Sequence, residues 1–96
     1  MMLAKSIMVD DKEHCVFCFN SLVEEHHIFF GTSDRPVSER YGLVIPLCNK
    51  HHTGGADSPH KNRITDLALK CWAQTVYEQK IGDRDSFRRE FKRSYL

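Results

Sequence analysis

Two short runs of the chain are rich in β-branched and aromatic residues, and two later ones repeat apolar residues at helical spacing. Leu22-Val23-Glu24-Glu25-His26-His27-Ile28-Phe29-Phe30 carries such residues at its two ends and reads as a strand. The turn formers Gly31-Thr32-Ser33-Asp34-Arg35-Pro36 close it. A second extended run, Tyr41-Gly42-Leu43-Val44-Ile45-Pro46-Leu47, leads into Cys48, and Pro46 marks a sheet edge or the last residue of that strand. Cys48-Asn49-Lys50-His51-His52 predicts one turn of helix, broken at Gly54-Gly55. Ser58-Pro59 has the N-cap-plus-proline form of a helix start. From there Ile64, Leu67, Ala68, Cys71, Trp72, Thr75 and Val76 mark a long helix that Gly82 stops. Asp83 opens a last short helix with Phe87 and Phe91 as its apolar stripe. Residues 1–12 read as a lead-in with a short strand over Lys5 to Val9. The order strand, strand, helix predicts a small α+β fold in a single domain.

Composition narrows the class. With 96 residues, 41% of them hydrophobic and 28% charged, the chain reads as one small soluble domain and not a two-domain enzyme. No apolar stretch approaches the roughly 20 residues that span a bilayer, so no membrane is expected as a partner. Met1 to Met8, followed at once by Asp10 and Asp11, is too short and too quickly acidic for a signal peptide, which points to the cytoplasm. The net charge of +1 conceals an asymmetry: residues 1–60 hold five Lys/Arg against eight Asp/Glu, and residues 61–96 hold nine against five. A basic C-terminal third is compatible with contact to a phosphate backbone.

So short a chain buries only a modest core and calls for a staple. Four cysteines and six histidines in a reducing compartment point to a metal rather than disulfides. Cys15-x2-Cys18 and Cys48-x2-His51, with 29 residues between the pairs, have the spacing of two zinc knuckles. Each two-residue turn aims both ligand atoms at one ion, and two turns close the four-ligand sphere of a structural zinc, with no position left for water. Cys71, beside Trp72 on the helical stripe, reads as a plain core residue.

Five histidines are left over: His14, His26, His27, His52 and His60. Adjacent imidazoles such as His26-His27, one serving as general base and one as metal ligand, have the chemistry to hydrolyse a phosphodiester. Neighbours in a regular strand point to opposite faces, so one site uses both only where the strand end twists or bulges, or where the two act at different edges of the phosphate. With Ser58 as cap, His60 falls in the first turn of the long helix, where free N–H groups favour phosphate and Lys61 and Arg63 add contacts. Arg88, Arg89, Lys92 and Arg93 on the final helix are either a solvated face or further phosphate contacts.

The dyad His26-His27, the second strand, and Cys48-x-x-His51-His52 at the head of a helix together resemble the HNH endonucleases with their ββα-metal finger. More narrowly, Glu25-His26-His27-Ile28-Phe29-Phe30-Gly31 and Tyr41 to Cys48 resemble the phage recombination-enhancement (Ref-like) nucleases, which depend on RecA filaments. Ser58-Pro59-His60-Lys61-Asn62 and the tail from Phe87 to Leu96 extend the similarity over most of the chain from Cys15 onward. The resemblance implies a treble-clef-like ββα-metal finger within 13–60 and C-terminal helices over 61–96. It implies His26 as ligand of a catalytic divalent ion, His27 as the base that activates water, and His52 as a second ligand. The third ligand is then His60, with Asn62 in reserve. The implied ion is Mg2+, Mn2+, Zn2+ or Ni2+, the substrate DNA, and the partner a RecA filament or another DNA-processing protein in a bacterial cell. Two departures stand out: Tyr41 to Leu47 lacks the Asn that props the base histidine in many members, and His51 stands where many use Cys.

The competing reading is a non-catalytic treble-clef zinc module that contacts nucleic acid or a protein and leaves the dyad idle. A redox CxxC protein needs a βαβ pattern that is absent here.

Overall fold

The computed structural model describes residues 5–96. Two strands, β1 (Val23–His27) and β2 (Val44–Cys48), pair antiparallel with His26 opposite Ile45 and His27 opposite Val44. Between them lies a helix, α1 (Arg35–Tyr41), where the pattern predicted a turn running into the second strand. Pro36 in its first turn supplies helical φ without needing a donor. Gly42 ends it at φ 73°, and a Cβ there would stand 2.5 Å from the Lys5 carbonyl. The buried Ser38 ties α1 to the end of β1, its hydroxyl donating to the Phe29 carbonyl at 2.7 Å and accepting from the Phe29 N–H at 3.0 Å.

A π-helical turn, Lys50–Gly54, follows β2. The long helix α2 (Arg63–Lys80) and the short α3 (Arg84–Phe91) complete the chain. The result is a small α+β fold with one two-stranded sheet among the described residues. Its core packs Ile28, Phe29, Leu43, Ile45 and Leu47 from the strands and their ends against Leu69, Ala73 and Tyr77 of α2 and Phe87 and Phe91 of α3. Phe29 packs against Phe91 with ring centroids 4.3 Å apart and planes tilted by 35°, anchoring the segment just beyond the histidine dyad.

Four expectations are corrected. Lys5 to Val9 forms no strand; instead Ile7 donates its N–H to the Gly42 carbonyl and the Ser6 hydroxyl donates to the Val44 carbonyl. Ser58 does not cap α2. It sits in a tight turn with its hydroxyl on the Gly55 carbonyl, while the Asn62 side chain accepts from the Ile64 and Thr65 N–H groups. His60, Lys61 and Asn62 therefore precede α2 instead of forming its first turn. Ile64 is 80% exposed, because the face that α2 buries carries Leu69, Ala73, Gln74, Val76 and Tyr77.

Candidate metal centres

Folding gathers the Cys15–Cys18 and Cys48–His51 pairs at one end of the sheet, where Val23, the first residue of β1, stands opposite Cys48, the last of β2. Cys15 and Cys18 lie on a turn closed by the Phe19 N–H on the Cys15 carbonyl, and the Val16 N–H reaches the Pro46 carbonyl of β2. Cys48 ends β2, and His51 follows in the π-helical turn. Cys18 Sγ lies 3.6 Å from Cys48 Sγ, and His51 Nδ1 lies 3.2 Å from Cys48 Sγ and 3.6 Å from Cys15 Sγ. Tetrahedral zinc, with bonds of about 2.3 Å to sulfur and about 2.0 Å to nitrogen, requires S···S separations of about 3.8 Å and S···N of about 3.5 Å. The four residues form a cluster able to hold a metal ion such as zinc. Burial opposes ionisation of Cys15, but N–H groups of Cys48, Cys18 and Phe17 outweigh it and hold the thiol down at about 6. Cys18 moves the other way: the Asn20 N–H favours its thiolate, but desolvation and the sulfurs of Cys48 and Cys15 prevail and raise it.

Beside this cluster stands a second, made of imidazoles alone. His26 from β1, His52 from the π-helical turn and His60 from the loop before α2 bring one ring nitrogen each within 4.8 Å of one another. Their centroids lie 5.1, 5.1 and 5.0 Å apart, a nearly regular triangle. Three imidazoles on one tetrahedral ion require about 5.2 Å. His26 is 1% exposed, and neither of its ring nitrogens has a hydrogen-bond partner among the described residues. Desolvation first, then the neighbouring His52 and His60, push its pKa down to about 3, so its lone pair is free near neutrality. His60 is lowered for the same reasons, burial leading and His52 following. His52 Nδ1 meets Glu24 Oε1 at 2.8 Å, which fixes the ring and leaves Nε2 for an ion. Orphaned buried nitrogens, neutral rings and a carboxylate behind one of them are the features a divalent cation fits.

The alternation of β1 governs the rest. Glu24 and His26 take one face, and Glu25 and His27 take the other. His26 and His27 nonetheless line one cavity of about 190 Å³, because the strand ends at His27 and the cavity wraps that end. Glu25, Phe30, Arg35, His52 and His60 complete its wall. Arg35 is the one arginine or lysine of that wall among the described residues, and the sequence pattern did not single it out; it is brought in by α1, which the turn-rich composition of residues 31–36 concealed.

Other expected residues stand apart. Asn62 spends its side-chain oxygen on the α2 cap and does not join the three histidines. Lys61 and Arg63 are exposed beside the His60 loop, and Lys61 Nζ reaches the Gly54 carbonyl at 3.5 Å. Arg88, Arg89, Lys92 and Arg93 are exposed on and just after α3, away from the cavity wall. Cys71 is half-buried, its thiol on the Tyr95 carbonyl. Among the described residues no helix is long and apolar enough to cross a membrane.

The fold and its clusters define a small α+β protein with side-chain groups able to hold metal ions. No family model, curated protein or solved structure matches the chain.

Proposed function

We propose that this chain is a metal-dependent DNA endonuclease of the HNH type, its β1, β2 and the segment after Cys48 forming a ββα-metal finger stapled by zinc at Cys15, Cys18, Cys48 and His51. The carrying observation is one cavity lined both by a three-imidazole cluster and by a further histidine, His27, that does not belong to that cluster. A divalent ion on His26, His52 and His60 would supply positive charge to the phosphate and to the departing oxygen. His27 takes a proton from water as the water oxygen bonds to phosphorus and the P–O bond to the leaving sugar oxygen breaks. Arg35 offers its planar fork to the non-bridging phosphate oxygens. An all-imidazole site favours zinc, nickel or manganese, with magnesium admitted by the oxygens of the substrate. Lys61 and Arg63, on the rim near His60, and the cations of α3 extend the contact to neighbouring phosphates without reading base identity. A phage or prophage setting, and a RecA filament or similar DNA-processing protein as partner, belong to the same proposal.

Plasmid nicking tests it. Wild type with Mn2+, Mg2+, Zn2+ or Ni2+ nicks supercoiled DNA, and His27→Ala slows the reaction about 10²–10⁴-fold while DNA binding persists. No cleavage with any of these metals, alone or on a RecA filament, overturns it. The exposed apolar residues Phe17, Phe19 and Leu22 around the cysteine turn favour a second reading, a zinc module that docks a protein partner. That reading predicts binding without cleavage.

A further inference from the structure

The other face of β1 holds a convergence of ligand atoms around His27, two of whose members, Glu25 and Glu39, have no part in the proposed reaction. Glu25 and His27 share that face, and Glu39 reaches the same point from α1. One oxygen from each glutamate and one nitrogen of His27 lie within 4.8 Å of one another. His27 Nε2 stands 3.2 Å from Glu25 Oε1 and 3.7 Å from Glu39 Oε1, yet among the described residues this nitrogen closes no hydrogen bond although His27 is only 7% exposed. A carboxylate pair that merely oriented the ring would have drawn its N–H into a bond. Ligand bonds of about 2.1 Å around one hard cation place adjacent donors about 3 Å apart and opposed donors about 4.2 Å apart, the range seen here.

We propose that Glu25, His27 and Glu39 form a binding site for a further divalent cation, separate from the cysteine cluster and from the three histidines. Two carboxylates and one imidazole suit a hard or borderline ion of the Mn2+ class, where the all-imidazole site beside it suits zinc or nickel. Glu39, about half exposed, gives the site an open side through which ions exchange. The site stands whether or not the chain cuts DNA. Where it does, an ion on Nε2 leaves the ring proton on Nδ1, and His27 can no longer accept a proton from water. Rising cation concentration then first activates and later silences the enzyme.

The test uses the zinc-loaded full chain carrying His52→Ala and His60→Ala, which dismantles the imidazole cluster and leaves the proposed site whole. Titration with Mn2+, followed by electron paramagnetic resonance and by broadening of the His27 ring signals, is expected to show one saturable ion per chain. Adding Glu39→Gln, a change at a half-exposed position, weakens that binding at least tenfold, and Glu25→Gln does the same. Absence of saturable Mn2+ binding in the double variant overturns the inference, as does binding that neither glutamine variant alters. Because no nuclease assay enters, failure here is distinct from failure of the nicking experiment.

Discussion

At the scale of single residues, His26 carries the heaviest cost. A 1%-exposed imidazole without a partner for either nitrogen is tolerated in its neutral form and strongly opposed when protonated. Its pKa is held down near 3, whereas an unfolded histidine titrates at about 6.5. The sign follows directly. Above about 6.5 the ring is neutral in both states and the fold keeps its full stability. As pH falls from there through about 3, the unfolded chain binds a proton that the native site refuses, and stability is lost. With zinc on the cysteines and nothing on the histidines, urea unfolding at pH 7.5 and pH 5.5 should differ by about 1.4 kcal/mol from this one group. His26→Phe, which keeps a ring against Phe30, should remove a loss of that size. An equal decline in wild type and variant would show that His26 finds a proton acceptor in the native state.

At the scale of elements, the start of α2 decides where His60 lies. The sequence pattern puts that start at Ser58-Pro59. The structure caps the helix with Asn62 instead, and Ser58 is buried and holds the Gly55 carbonyl, closing the loop that turns His60 toward His26. Asn62→Ala should therefore cost about 1 kcal/mol, read as a lower urea midpoint with an unchanged slope. A change within error would place the cap elsewhere. Legibility follows the same line. The four residues of the cysteine cluster were readable because two-residue spacing fixes each pair locally, and only the pairing of turns is long-range. The convergence of His26, His52 and His60 was legible only through the family resemblance, since no local spacing relates them. The convergence of Glu25 and Glu39 on His27 was not legible at all, because Glu39 arrives on α1, a helix hidden beneath Gly31, Pro36 and their turn-forming neighbours. The buried face of α2 was misread at Ile64, Ala68 and Thr75 because helical spacing fixes a stripe only when the neighbours it packs against are known.

At the scale of the whole molecule, the sheet has two five-residue strands, and a two-stranded sheet does not hold itself in water. The aromatic contacts of Phe29 with Phe87 and Phe91 join it to α3, and the turn bearing Cys15 and Cys18 meets β2 at the Val16–Pro46 hydrogen bond, through the buried Cys15, and at the cluster it forms with Cys48 and His51. Structural zinc contributes apparent free energies of about 10–16 kcal/mol in small fingers, as much as the about 5–15 kcal/mol that holds a typical domain together. His51 and His52 are consecutive and serve different clusters, so the turn that carries one positions the other. Stripping zinc with a strong chelator, or Cys48→Ser, should accordingly abolish the cooperative thermal transition and most of the helical circular dichroism, and with them the affinity of His26, His52 and His60 for a divalent ion. His60→Ala should weaken that second affinity alone and leave the melt cooperative. A chelated protein that still melts cooperatively would mean that the aromatic core, and not the metal, holds β2 against the helices, and that the two clusters are energetically independent despite sharing a turn.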